Sequence, residues 1–208
     1  MFPVPNSVSC DRPAQRTKGG FTLIELILVI AVIMVLSGIT FGIARGVQNA
    51  QARAAAKAEL AVIAQALEGY KSTHGDYPWA ADSEALAKAL MGWMAFSGSG
   101  SSMTFVTVNS ADVPTSGPKN FIDPTKLDYS GSLPDAANEE PGSGAFLDPW
   151  GNPYVYKYKT SAADSWEVFG FHLYSVGENG TDGTTTAATG VMTRPAGEDD
   201  ADNIYAGE

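Results

Sequence analysis

Residues 21–41 form a run of 21 residues with a single charge, Glu25. As a helix this run would be roughly 30 Å long, which matches the thickness of a hydrocarbon layer. A helix that is apolar on every side must be covered on every side, by lipid or by protein. The 20 residues before it are polar, contain Pro3, Pro5 and Pro13, and end in Arg16-Thr17-Lys18-Gly19-Gly20. In an ordinary secretory signal the small-residue cleavage site follows the apolar core. Here the small pair comes first, and no comparable site follows closely, so the apolar run is expected to stay in the mature chain. Arg12, Arg16 and Lys18 on the near flank favour a cytoplasmic N-terminus, an asymmetry weakened by Arg45 and Arg53 beyond the far end.

Glu25 is the anomaly in the run. A carboxylate at that depth costs about 2.5–3.5 kcal/mol and normally has a partner and a task. The run holds no basic side chain. Cleavage after Gly20 would create an α-ammonium at Phe21, four residues upstream, on the same or a neighbouring chain. The alternative is a signal anchor whose Glu25 reaches the nearby interface. The stretch Lys18-Gly19-Gly20-Phe21-Thr22-Leu23-Ile24-Glu25-Leu26 resembles the type IV prepilin motif, and the likeness extends over roughly residues 15–75. It implies cleavage between Gly20 and Phe21 and methylation of the Phe21 amine by a prepilin peptidase. It also implies a role for Glu25 in docking subunits during assembly. One departure is Gly42, where the family commonly has proline. With Gly38 and Gly46 it makes a series spaced by four, which either lets helices approach closely or is ordinary small-residue tolerance.

The helical pattern continues past the run. Residues 50–66 are alanine-rich, and Leu60, Ile63, Leu67 and Tyr70 recur at helical spacing. His74-Gly75-Asp76-Tyr77-Pro78 supplies a stop. One helix over about residues 21–74 would be about 80 Å long, apolar first and amphipathic later. Its apolar stripe needs a cover from the remaining chain. Asp82-Ser83-Glu84 opens a second helix ending near Leu90 or Gly92, with Asp82 as N-cap. Residues 97–102 read as loop, 103–108 as a strand, and 109–145 as long loops. Residues 154–158 and 166–174 read as strands, the second central in its sheet.

The C-terminal half resembles the major pseudopilin of type II secretion. The match runs through Asp148-Pro149-Trp150-Gly151-Asn152-Pro153-Tyr154, the strand pair and the Gly-rich loop of residues 175–183, and more loosely through 198–205. It does not cover 92–145 or 184–197. The resemblance implies a bound Ca²⁺ at this loop, with ligands among Ser175, Asn179, Asp182, Asp199, Asp200 and Asp202. Hard cations take several oxygen ligands on a glycine-turned loop, although the spacing is not that of an EF-hand. Asn179 stands where the family has Asp, and Asp202-Asn203-Ile204 where it has Asp-Ile. The alternative is a solvated acidic tail.

Charge and composition exclude other classes. The formal net charge is −10, and removal of residues 1–20 leaves 10 basic against 22 acidic residues, or −12. Such a body has little with which to neutralise phosphates, so no nucleic-acid partner is expected. The lone cysteine, Cys10, lies in the segment expected to be removed, which leaves no disulfide and no thiol nucleophile. His74 and His172 belong to no catalytic or metal-ligand spacing, and no enzyme is expected.

The expectation is therefore an α+β, pilin-like fold, a long N-terminal helix packed on a small antiparallel sheet with long loops. Its parts are a leader at 1–20, an assembly helix at 21–75 and a periplasmic head at 76–208. It would be an inner-membrane, single-pass subunit of a type II secretion pseudopilus that supports export of folded proteins. Its partners would be further copies of itself, prepilin peptidase, the secretion platform, minor pseudopilins and the bilayer. The alternatives are a type IV pilus subunit and a membrane-anchored binding module that does not polymerise. The first is disfavoured by the lack of a C-terminal cysteine pair.

Overall fold

The structure is a computed structural model that describes residues 20–108, 119–133, 142–194 and 202–207. Within the first helix, the side chains of 39–45 fall outside that description. The elements, in chain order, are α1 (Leu23–His74), α2 (Ser83–Leu90), β1 (Met94–Ser97) and β2 (Thr104–Thr107). There follow β3 (Asp128–Tyr129), β4 (Phe146–Leu147), β5 (Val155–Lys157), β6 (His172–Ser175), β7 (Thr185–Thr186), β8 (Met192–Thr193) and β9 (Ile204–Tyr205). The fold is α+β and pilin-like, as expected. The chain divides between Gly46 and Val47 into two compact units.

In the first unit, the described apolar side chains of α1 stand exposed. Leu23, Ile24, Leu28, Met34 and Leu36 all stand more than half exposed. Among the described residues no helix is long and apolar enough to cross a membrane. The described side chains of the run stop at Gly38. From Leu23 that is roughly 24 Å of helix, less than a hydrocarbon layer of about 30 Å. The capacity of 21–41 to span is thus a statement about its sequence.

The second unit is built on the amphipathic end of α1. Leu60, Ile63, Leu67 and Tyr70, the spacing read from sequence, are fully buried. They share one core with Leu86, Ala87 and Leu90 of α2 and with Trp93, Phe146, Tyr154, Tyr156, Leu173 and Ile204. The helix stops where Gly75 takes a left-handed φ of 87°, its N–H bonding Lys71 O at 2.7 Å. At α2 the Asp82 side chain accepts the Ala85 N–H, a cap that meets one orphan donor of the first turn.

The sheet is small and antiparallel, in the order β5-β6-β9, with Tyr156 opposite Leu173, Val155 opposite Tyr174, and Tyr174 opposite Tyr205. The tyrosines in and beside β5, buried at 154 and 156 and half-buried at 158, keep their hydroxyls bonded. Tyr154 donates to Glu59 at 2.6 Å, Tyr156 to Pro78 O at 3.0 Å and Tyr158 to Asp76 at 2.8 Å. Burial pushes all three phenols above their usual range.

Three sequence expectations change. The strand expected over 166–174 is only His172–Ser175, though it is central. The Trp166 indole folds back to donate to Gly170 O at 2.8 Å, and Gly170 has a φ of 84°, so the chain before β6 is turned rather than extended. The strand expected from 103 begins at Thr104 and pairs with β1, which lies where no strand was expected. Within 109–145, the described residues are not wholly loop, because β3 pairs with β4 and Ser132 bridges Ser143.

Candidate functional sites at the helix start and the acidic loop

The helix start is open. Gly20 is exposed and Phe21 is 83% exposed, so the bond between them is accessible from the chain's own side. Helical bonding begins with Thr22, whose carbonyl accepts the Glu25 and Leu26 N–H groups at 3.1 and 3.2 Å. The Thr22 hydroxyl accepts the Glu25 N–H at 3.4 Å, a loose N-cap, and donates to the Glu25 carboxylate at 3.5 Å. The helix starts where the sequence placed it, at about residue 21, and the Thr22 cap is the local detail the sequence reading did not name. Glu25 therefore has a local role in the first turn, where its carboxylate meets the positive end of the helix dipole. Its side chain is exposed, and no basic group pairs with it among the described residues. The leader, residues 1–19, lies outside the described residues.

The acidic loop leaves β6. Ser175 is buried, donates to Asp148 at 2.6 Å and accepts the Gly177 N–H at 3.0 Å. Pairing of Ser175 with Ile204 brings the tail back beside the loop. Asp202 then lies against Gly177, whose φ is +70°. A Cβ at Gly177 would meet Asp202 O at 2.5 Å and Oδ2 at 2.7 Å, so only glycine fits there. Asp202 Oδ2 accepts the Asn179 N–H at 2.8 Å, while Oδ1 is buried and has no hydrogen-bond partner among the described residues.

Ser175, Asn179 and Asp202 are thus gathered around Gly177. Asp182 engages other groups, accepting from the Tyr174 hydroxyl at 2.9 Å and the Thr184 N–H at 3.0 Å. Burial, and this carboxylate, push the Tyr174 phenol above its usual range. Asp199 and Asp200 lie outside the described residues. Among the described residues, no group of three or more His, Asp or Glu side chains is arranged to hold a metal ion. The orphaned Oδ1 fits a cation, because a buried carboxylate oxygen without a donor is otherwise destabilising.

Three residues of this region went unread as site residues in the sequence. Asp148 and Asn152 reach the loop directly, and Asn49 of α1 accepts from the Glu178 side chain's neighbour Trp150 while donating to Glu178 itself. The last two bonds measure 3.4 Å and 2.5 Å.

Comparison with known proteins bears on both sites. A family model described as the prokaryotic N-terminal methylation motif matches residues 15–41. The chain is 27% identical over 170 residues to the type II secretion system core protein G of Pseudomonas aeruginosa, covering 81% of this chain and 89% of that protein. No solved structure matches. The methylation motif thus lies at the exposed helix start, and the likeness to core protein G runs along most of both chains.

Proposed function

We propose that the chain is a structural subunit of a type II secretion pseudopilus, cut after Gly20, methylated at Phe21 and polymerised through the first part of α1. The observation that carries this reading is the uncovered apolar surface of α1. Its side chains from Leu23 to Leu36 face outward on all sides, and monomeric soluble proteins rarely expose so large a continuous apolar patch. Lipid covers that surface before assembly, and the same helices of neighbouring subunits cover it afterwards. The secretion assignment follows the likeness to core protein G. Prepilin peptidase, the inner-membrane platform and minor pseudopilins are the partners this role requires, with the head on the periplasmic side.

Glu25 supplies register. Thr22 gives it only loose bonds, so its carboxylate remains available to the Phe21 ammonium of an adjacent subunit. Glu25→Ala is expected to insert and keep a folded head, but to give few filaments in sedimentation and electron microscopy. Wild-type filament yield would overturn the pairing.

The acidic loop is the proposed Ca²⁺ site. Asp202 would hold the ion, together with oxygens from residues 175–182 and from Asp199 and Asp200. The ion supplies positive charge where the tail meets the loop and does the stabilising work of a disulfide in a chain whose only cysteine is in the leader. Support for it is the buried, unpartnered Asp202 Oδ1.

A further inference from the structure

The turn that links β4 to β5 reaches the acidic loop twice. Asp148 is 1% exposed, a carboxylate in a core, and it forms no ion pair among the described residues. A buried charge without a counter-ion is retained only where its hydrogen bonds are satisfied. Its Oδ1 accepts the N–H groups of Trp150 and Asn152 at 3.1 and 2.8 Å, closing its own turn. Its Oδ2 accepts the Ser175 hydroxyl at 2.6 Å, and Ser175 Oγ in turn accepts the Gly177 N–H at 3.0 Å. From the other side of the same turn, Asn152 Nδ2 donates to Gly177 O at 2.9 Å.

Both backbone polar groups of Gly177 are therefore fixed by one turn, the N–H through Ser175 and Asp148, the carbonyl through Asn152. Gly177 is also the surface on which Asp202 rests, with no room for a Cβ between them. Beyond it, Asn179 N–H binds Asp202 Oδ2, and Oδ1 is left without a donor. We propose that Asp148 and Asn152 are positioning residues of the cation loop, setting Gly177 and through it the Asp202 carboxylate that takes the ion. Ser175 is a link in this relay, because its hydroxyl is already engaged on both sides. Groups that orient a metal ligand from behind typically change affinity about 10–100-fold when removed.

This inference rests on the cation reading, and the test separates the two. Full-length protein in detergent micelles is titrated with CaCl₂ by calorimetry and melted in chelator, as wild type, Asn152→Ala and Asp148→Asn. Asn152→Ala is expected to bind Ca²⁺ about 10–100-fold more weakly, with a chelator melting temperature lowered by only about 2–4 °C for one lost hydrogen bond. Asp148→Asn, which loses the acceptor for Ser175, is expected to shift affinity in the same direction. Should it fail to fold, Asn152→Ala decides alone. A role confined to stability would lower the chelator melting temperature and leave the Kd unchanged, which overturns the proposal while the cation reading stands. Absence of Ca²⁺ binding by the wild type overturns both.

Discussion

Two stretches of α1 are equally helical and meet opposite fates. Leu23, Ile24, Leu28 and Leu36 lie exposed, while Ala56, Leu60, Ile63, Leu67 and Tyr70 are fully buried. The second stretch has apolar residues on one face, and a sheet and a second helix from the same chain close over that face. The first is apolar on every side, and no compact head can surround a helix. Helix propensity sets the backbone in both; what differs is whether one chain can supply the cover. The same contrast holds for their acids. Glu25 stands in the open with a loose Thr22 contact, whereas Glu59 lies half-buried with the Tyr154 hydroxyl on its carboxylate.

The largest expected effect tests that contrast head-on. Leu67→Ala should destabilise the head by about 3 kcal/mol, a fall of roughly 6–12 °C in melting temperature. Leu28→Ala, the same change in the exposed stretch, should move the melting of the full chain in detergent by less than about 0.5 kcal/mol. Equal losses in the two variants would break the comparison.

A smaller effect sharpens it through pH. Burial holds Glu59 above the usual carboxylate range, with Asp128 and Asp148 adding to it and the Tyr154 bond opposing it. The folded state thus keeps this proton better than the unfolded chain does. Stability from Glu59 is greatest in acid, below the unfolded pKa, and declines as pH rises through the folded one. Glu59→Gln should therefore melt above wild type at neutral pH, with the gap closing as the solution is acidified.

Asp76 behaves in the opposite way. Burial works to raise it, but Lys159, Tyr158 and Trp79 hold it below the usual range. Its contribution is present above the unfolded pKa and is lost as pH falls through the folded one. Asp76→Asn should melt below wild type at neutral pH and approach it in acid. Parallel melting curves across that range would remove the assignment for either residue.

Sequence and structure agree where a pattern is local. The Leu60–Ile63–Leu67–Tyr70 spacing, the Gly75 stop and the Asp82 cap each depend on residues within a turn or two of one another. The strand over 166–174 was misjudged because alternation says nothing of an indole that returns to Gly170 O. Strand β1, Met-Ala-Phe-Ser, lacks β-branched residues and exists through its pairing with β2. The acidic loop was legible as a cluster of oxygens, but its scaffold was not. Asp148 meets Ser175 across 27 positions and Asn152 meets Gly177 across 25, and no local pattern announces such bonds. Ser175, expected among the ion's ligands, donates its hydroxyl to Asp148.

On the proposed function, α1 begins at a cleaved prepilin site and keeps its apolar half for assembly. The measurement that tests it most directly is the mass and N-terminal sequence of the protein extracted from membranes. The account predicts a chain that starts at Phe21 with a methylated amine, so that a cation stands four residues before Glu25. A chain that starts at Met1, or beyond residue 41, would contradict it.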